Sequence, residues 1–591
     1  MGIPQLFKNI ITRHKNTHFW DPDFKCNYLF LDFNSMLHNY VQDYLSMIDY
    51  DKFKAMSESK KIDNIIGYII DDTAKFVNTV VKPDTMLYIA IDGPAPRSKM
   101  ELQRFRRYKS IKSETYNEKL KKQYNVPPKS SELWDRSAHL SPGTTFMINL
   151  SLQIKESINN KLFMAGKISV ILSDASLPGE GEHKILPFMK QIFDKEKGEK
   201  PNMVIYSPDG DMIVLPMRFK SNVYIIRPID DMDNNLKSKY GDNKYLYLSI
   251  ENYRNSLFES QLTDSISTDP NLYINISYDL IFLMSLVGND HCRPIPYLKV
   301  KNNGLEKIMT IYKKLLSKYK TNLVISDKTT TINFVFFKEL IKEIAISEDY
   351  SMKHNYNRLL NSMNRPSQEL PPSYEVDKQN FEHAFYYSRD NPFYSPESFK
   401  IINYNLPHNE WKNQYYSHFF HISKSNIHEF NDYKKHVCML YLQSLVFTIR
   451  YYIDDVPSWS WFYPYLVTPL PSDILYFLDN APPNLDFTFK KDKPNTPLEQ
   501  LCYILPPQSA DMLPLPVKKL MTSPTSPLAP FYPVDFELDI VSGEKYIYSE
   551  PILPHIVSEL VDPYLQHALS ELSDKDKMRN TINQEPFIYT P

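Results

Sequence analysis

The chain has 591 residues, 68 Lys+Arg against 70 Asp+Glu, a formal net charge of −2, and is 23% charged and 42% hydrophobic. That is the balance of a globular protein with room for several domains and a large core, and it excludes a wholly basic, histone-like nucleic-acid binder, though not a local basic patch. Four scattered cysteines (Cys26, Cys292, Cys438 and Cys502) exclude a disulfide framework, a zinc ribbon and an Fe–S site, and suit a reducing compartment.

No apolar h-region follows Met1, no apolar run approaches about 18 residues, and Leu6 breaks a myristoylation pattern, so neither a secretory signal nor a membrane anchor is expected; with no basic cluster typical of nuclear import, the cytoplasm is the default compartment and the nucleus the alternative. Glycine is scarce, 13 residues in all, and only Gly179 and Gly181 lie close together. A phosphate cradle of the P-loop or GxGxxG kind is therefore excluded.

In chain order, a first apolar run, Tyr28–Phe33, carries Asp32 near its end. A second, Met86–Ile91, leads into Asp92. The strongest positive concentration of the chain follows, with eleven Lys/Arg against three Glu between Arg97 and Lys129. A helical stretch, Phe146–Leu162, precedes the third run, Ile168–Ser173, and then Glu180 and Glu182. A helix over His183–Phe193 precedes the fourth run, Met203–Ser207, and then Asp209 and Asp211. A later helix is read as ending in Asp290.

Short, unalternating, β-branched and aromatic runs separated by helices predict an α/β domain: a doubly wound, mostly parallel sheet covered on both faces. From about Lys301 to Ile346 the pattern turns helical, and Arg365–Glu397, rich in Pro, Ser and Asn, reads as a linker. An aromatic helical run spans Trp411 to Arg450. Residues Pro457–Pro563 hold 19 of the 44 prolines but are dense in Trp, Tyr, Phe and Leu, which predicts an ordered, loop-rich wrap. The expected division is a catalytic domain over 1–355, a linker over 356–405, a second region over 406–575 and a tail over 576–591.

One Asp at a strand end is usually a helix cap or a turn residue. Four strand ends all followed by acids, two of them paired, fit caps poorly. The carboxyl ends of strands form the ligand crevice of an open α/β sheet. Seven carboxylates there (Asp32, Asp92, Glu180, Glu182, Asp209, Asp211, Asp290) repel one another unless cations neutralise them. Oxygen-only donors select Mg²⁺ or Mn²⁺ over zinc, and two such ions about 4 Å apart hold the attacking water and leaving oxygen of a phosphodiester. The Glu180-Gly181-Glu182 and Asp209-Gly210-Asp211 spacings are read as extended strand ends, on which alternate side chains point the same way.

On a helix, Lys99, Gln103, Arg106 and Arg107 share one face, and that set makes a phosphate pocket beside the acids. A charge run is more often a solvated face; its position next to the acids argues for the pocket. His38, six residues after Asp32, and Trp459 or Trp461 are candidates for stacking on nucleobases, although a lone His and at least one Trp are more often packing residues. His418, His421, His428 and His436, near Cys438, match no zinc spacing and read as structural or surface residues.

These motifs resemble the Xrn 5′→3′ exoribonucleases of the PIN/FEN-like metal nuclease superfamily. The resemblance runs through Met1-Gly-Ile-Pro4, LDFNSMLHN, IDGPAPRSKMELQRFRR, SPGTTFM, PGEGEHK, SPDGDM and LVGND. It resumes in VPSWSWFYPY, PLEQLCYILPP and LMTSPTSPLAPFYPVDFELD, nearly to the end of the chain. It implies that the seven acids bind two Mg²⁺ ions, with Mn²⁺ as substitute. It implies that Lys99, Gln103, Arg106 and Arg107 bind a 5′-monophosphate, and that His38 with Trp459 or Trp461 stacks on the first bases. The implied reaction is processive release of 5′-mononucleotides from single-stranded RNA in RNA turnover, after decapping or endonucleolytic cleavage, by a monomer for which a decapping enzyme is a candidate partner. Departures are Pro208 before the aspartate pair and the lack of both the long C-terminal extension and the zinc knuckle of larger members. A DNA flap nuclease is disfavoured because Asp290 is followed by HCRPIPYL with no glycine until Gly304. A catalytically silent RNA-binding scaffold is disfavoured by the presence of all seven acids.

Overall fold

The computed structural model describes residues 6–363, 401–539 and 549–591, apart from 124, 165, 196–197, 199, 220, 230–233, 242, 260–269, 423–426 and 483–484. The expected linker over 365–397 and the opening motif Met1–Pro4 lie outside the described residues.

The strands are β1 (His18–Phe19), β2 (Tyr28–Asp32), β3 (Met86–Ala90), β4 (Ser169–Ser173), β5 (Asn202–Tyr206), β6 (Asn222–Pro228) and β7 (Tyr245–Ser249), then β8 (Val324–Ser326), β9 (Thr330–Ile332), β10 (Leu538–Asp539), β11 (Glu550–Pro551) and β12 (Phe587–Tyr589). The main sheet runs β1-β7-β6-β5-β2-β3-β4-β12. Its centre, β6-β5-β2-β3-β4, is parallel; β7, β1 and β12 join antiparallel at the edges. β2, β3, β4 and β5 each lie within one residue of the expected runs.

The middle positions of these strands are all apolar because both faces are covered. Phe30, Tyr88 and Ile205 enter one core, while Leu29, Leu31, Leu87, Ile89 and Val204 enter the other. Each fully buried side chain of this size contributes roughly 1.5–3 kcal/mol of transfer free energy. Helices Phe33–Met47, Glu58–Lys75 and Thr145–Asn159 supply the second core. Helices Gly181–Lys195, Pro270–Ser285 and Ile427–Ile453 supply the first. The chain steps from β2 through β3 to β4 on one side, then crosses to β5 on the other, so the topological switch lies between β2 and β5. Asp32 ends β2 there, and Asp209 follows β5.

The Pro-rich region folds into short helices, including Pro471–Asn480, Pro497–Ile504 and Leu515–Thr522, with prolines in their first turns, where no intrahelical N–H partner is lost. Thr496 and Glu499 close a capping box on the second of these. A third core joins Met100 of the basic helix Arg97–Gln123 to Leu498, Leu501 and Val561 of this region.

Three local expectations are corrected. The stretch 301–346 is not wholly helical: helices Gly304–Tyr319 and Phe334–Ile346 flank the β8–β9 hairpin, which buried Asp279 anchors by accepting the N–H groups of Leu323 (3.0 Å) and Val324 (2.6 Å). Asp290 is not a helix end; its helix stops at Ser285, and Asp290 sits in the loop beyond. The paired acids are not on extended strand ends either. Helix Gly181–Lys195 begins between Glu180 and Glu182, and helix Asp211–Val214 begins at Asp211, so helix starts set their directions.

Candidate active site

Asp32 stands at the cap position of helix Phe33–Met47, yet its side chain caps nothing. Its Oδ2 accepts from the hydroxyls of Ser207 (2.8 Å) and Ser35 (3.4 Å) instead. Asp92, two residues past β3, accepts the Gly181 N–H at 2.8 Å, and its own N–H donates to Asn34 Oδ1 at 3.0 Å. A Cβ on Gly181 would lie 2.8 Å from Asp32 Oδ1. Glycine therefore lets this helix start press between the two carboxylates. The Asp209 N–H donates to Ser207 Oγ at 3.1 Å, so one serine serves two acids.

All seven acids line one cavity of about 450 Å³, and Lys99, Gln103, Arg106, Arg107 and His38 line it with them. The acids and the basic face thus form walls of a single site. Burial first, and then the neighbouring carboxylates, hold Asp32 and Glu182 well above the usual carboxyl range and push Asp92 up to about 6 and Asp211 to about 7. Glu180 and Asp290 behave oppositely. Burial raises both, but the Lys99 ammonium overrides it and holds them low, with Arg106 adding to the effect on Asp290. Lys99 Nζ meets Asp290 at 2.6 Å and also Glu180, and Arg106 reaches Asp290 at 3.2 Å.

Among the described residues no three His, Cys, Asp or Glu side chains are drawn into metal-coordinating geometry, this cleft and the His418–Cys438 stretch included. The donor chemistry nevertheless fits hard cations. The available donors are buried carboxylate oxygens, the Lys99 and Lys184 ammoniums are outnumbered by the acids, and repulsion among the rest already disfavours their charged forms.

The basic helix divides its charges between two faces. Arg97 donates to Ile556 O (2.9 Å) and Arg104 to Pro554 O (2.7 Å) and Phe531 O (2.6 Å), fastening the second region. Lys99, Gln103, Arg106 and Arg107 turn to the cavity. Arg107 donates to Ser141 Oγ at 2.7 Å and Ser137 O at 3.3 Å, which aims its guanidinium, and burial lowers it to about 10. His38 is lowered to about 4 by burial and then by Arg136 and Arg107. At neutral pH its ring is uncharged.

Neither Trp459 nor Trp461 lines the cavity. Trp461 stacks on Phe447 (5.0 Å, 25°) inside the first core's margin. Trp459 is half-buried and joined to the site through its backbone, its carbonyl accepting the Arg97 N–H at 2.8 Å. Several site residues carry no local sequence signal. The Tyr451 hydroxyl donates to Glu180 at 2.7 Å, His291 lies between Ser98 (2.8 Å) and the Tyr451 ring (4.2 Å), and Gln500 accepts the Ala95 N–H at 2.7 Å. The serine in Ser207-Pro-Asp209 was the one readable clue, as a short donor two residues before an acid. No described helix is long and apolar enough to cross a membrane.

An acid-lined cleft thus stands at the switch point of a parallel sheet, walled by a basic helix. The family model for the XRN 5′-3′ exonuclease N-terminus matches residues 1–228, and that for the Xrn1 helical domain matches 274–391 and 402–590. The chain belongs to the Xrn family, whose nucleases are metal-dependent. Similar curated proteins include the 5′-3′ exoribonuclease 2 homolog of Drosophila melanogaster (27% identical, covering 85% of this chain and 62% of the relative). Others are 5′-3′ exoribonuclease 2 of Gallus gallus (26%; 94% and 66%) and 5′-3′ exoribonuclease 1 of Saccharomyces cerevisiae (24%; 100% and 44%). The chain spans less than two thirds of the length of these relatives.

Proposed function

We propose that this protein is a 5′→3′ exoribonuclease that shortens single-stranded RNA from a 5′-monophosphate, releasing 5′-mononucleotides processively. The observation that carries the reading is the shared cavity: seven carboxylates and Lys99, Gln103, Arg106 and Arg107 face one space. Two Mg²⁺ ions, with Mn²⁺ as substitute, held by Asp32, Asp92, Glu180, Glu182, Asp209, Asp211 and Asp290 would supply neutralisation of the scissile phosphate and activation of the attacking water.

The chain's own groups do the rest. Arg107, aimed by Ser141, and Arg106 and Gln103 bind the terminal phosphate by charge-assisted hydrogen bonds. Lys99 bridges this pocket to the acids. The neutral His38 ring stacks on the first base, and Trp459 stacks further along the strand. Gln500 of the second region lines the cavity, and Tyr451 of helix Ile427–Ile453 holds Glu180 from behind it, an enclosure that favours a single strand over a duplex. Substrate ends come from a reaction that leaves a 5′-monophosphate, decapping or endonucleolytic cleavage, and we place the protein in the cytoplasm as a monomer.

The test is incubation of pure protein with 3′-labelled RNA bearing a 5′-monophosphate or a 5′-triphosphate, in Mg²⁺ and in EDTA, alongside a 5′-flap DNA. Metal-dependent loss of the monophosphorylated RNA alone, without ladder intermediates, is expected. Equal decay of both RNAs would remove the phosphate pocket from the reading, preferential cutting of the flap would replace RNA with DNA, and RNA binding without cleavage would leave a scaffold.

A further inference from the structure

The segment Pro457-Ser-Trp-Ser-Trp461 carries two tryptophans with different surroundings. Trp461 stacks on Phe447 and meets Phe489 edge-on at 5.7 Å. Among the described residues no ring stacks on Trp459, which stays half-buried. The backbone around Trp459 is nevertheless tied on both sides. Its carbonyl accepts from Arg97 N, the first residue of the helix whose next turns line the cavity. On the other side, Asp492 accepts the N–H groups of Trp459 (2.5 Å) and Ser460 (3.1 Å) and the hydroxyls of Ser458 (3.2 Å) and Ser460.

Four donors on one carboxylate use most of its acceptor positions, and each bond to an ionised acceptor is about twice as strong as a neutral one. Asp492 belongs to Lys490-Lys491-Asp492-Lys493, in which all three lysines are exposed, yet its side chain turns to the loop. Packing alone gives no reason for a carboxylate to collect a three-residue loop around a half-buried indole on which, among the described residues, no ring stacks. Presenting that indole does.

We propose that Asp492 is a positioning residue that fixes Trp459 beside the start of the phosphate-facing helix, ready to stack on a base of the incoming strand. The proposal rests on the RNA reading given above. With the backbone tied, only the two side-chain torsions of Trp459 remain to be ordered when a base lands on the indole, so the tie lowers the cost of stacking after each one-nucleotide advance.

The experiment compares Asp492→Ala, Asp492→Asn, Trp459→Ala and the double variant Trp459→Ala/Asp492→Ala in the full chain. Melting temperature confirms folding. Affinity for a 5′-monophosphorylated single-stranded RNA is measured in EDTA, and KM and kcat in Mg²⁺. Losing one base–aromatic stack weakens RNA binding about tenfold. Trp459→Ala and Asp492→Ala should each weaken affinity and raise KM by about that factor while kcat moves by less than about threefold, and the double variant should be no worse than Trp459→Ala alone. Asp492→Asn, which keeps one carbonyl acceptor, should fall between, and it carries the test if Asp492→Ala does not fold. Wild-type affinity in the Asp492 variants beside a weakened Trp459→Ala, or additive losses in the double variant, would overturn the role of Asp492. Normal binding by Trp459→Ala would instead remove the stacking reading, and the proposal with it.

Discussion

The Tyr451 hydroxyl donates to Glu180 Oε1 at 2.7 Å, joining residues 271 positions apart. Tyr451 lies on a helix of the second region, Glu180 at the carboxyl edge of the catalytic sheet. The tyrosine ring is itself held between His183 (3.8 Å) and His291 (4.2 Å), so the donor has little freedom. The second region therefore does more than cover the cleft: it orients one of the acids.

Tyr451→Phe keeps the ring packing and removes that one donor. A buried acceptor left unpaired costs roughly 1–3 kcal/mol. The expected result is a kcat lowered about 5- to 150-fold with KM for RNA changed less than about threefold, since the phosphate pocket is untouched. Steady-state kinetics on monophosphorylated RNA checks this. An equal fall in affinity would place Tyr451 in RNA binding instead.

Glycine at two neighbouring turns serves different ends. A Cβ at Gly181 would meet Asp32 Oδ1 at 2.8 Å, the movable end of a side chain, whereas one at Gly93 would lie 1.6 Å from the Leu177 carbonyl oxygen, which is backbone. Gly181→Ala should fold, with a melting temperature within about 5 °C of wild type, but lose about 100-fold in kcat as Asp32 is turned away. Gly93→Ala should yield little soluble protein. A fully active Gly181→Ala enzyme would mean that the close approach of this helix start to Asp32 does not matter.

The central strands were legible because each is buried on both faces, so Leu29, Phe30 and Leu31 all read apolar whichever core they enter. The edges were not. β1 and β12 have two and three residues, and their pairing is decided by distant partners such as Leu248 and Ile171 rather than by local pattern. The acids could be read because each follows a strand or stands in a compact motif. Their true directions could not, since helix starts at Gly181 and Asp211 set them. Tyr451 and Asp492 were invisible for a plainer reason. One sits in a run of helix that reads as core, the other in a lysine cluster that reads as solvated surface, and only the fold brings them to the site.

The acid cluster makes stability depend on pH in a defined direction. Burial and then the Asp290 charge push Asp211 up to about 7 from an ordinary value of 3.8. Between those limits the folded protein keeps a proton that the unfolded chain has released. The stability from this group is complete below about pH 4 and is lost as pH rises through about 7. In EDTA, Asp211→Asn should melt with wild type at about pH 4 and about 2–5 °C above it at pH 8, because the amide carries no charge to repel its neighbours. Mg²⁺ added at pH 8 should raise the wild-type melting temperature more than the variant's. A variant less stable than wild type at pH 8 in EDTA would contradict the crowding of charge in this cleft.

The two faces of the basic helix can be separated by single substitutions. Arg104 is 1% exposed and donates to two carbonyls of the second region, so Arg104→Ala removes buried charge-assisted bonds and leaves both oxygens unpaired. That should cost about 2–4 kcal/mol of stability and lower RNA cleavage only as far as folded protein is lost. Arg107 lies three residues on and faces the cavity, donating to Ser141 and Ser137. Arg107→Ala should fold, but its KM for 5′-monophosphorylated RNA should rise about 10- to 150-fold, the loss of one strong bond to a charged group, while 5′-hydroxyl RNA is affected far less. Melting curves and paired kinetics on the two RNAs separate the outcomes. If Arg107→Ala still prefers the 5′-monophosphate as strongly as wild type, Arg107 has no part in the phosphate pocket.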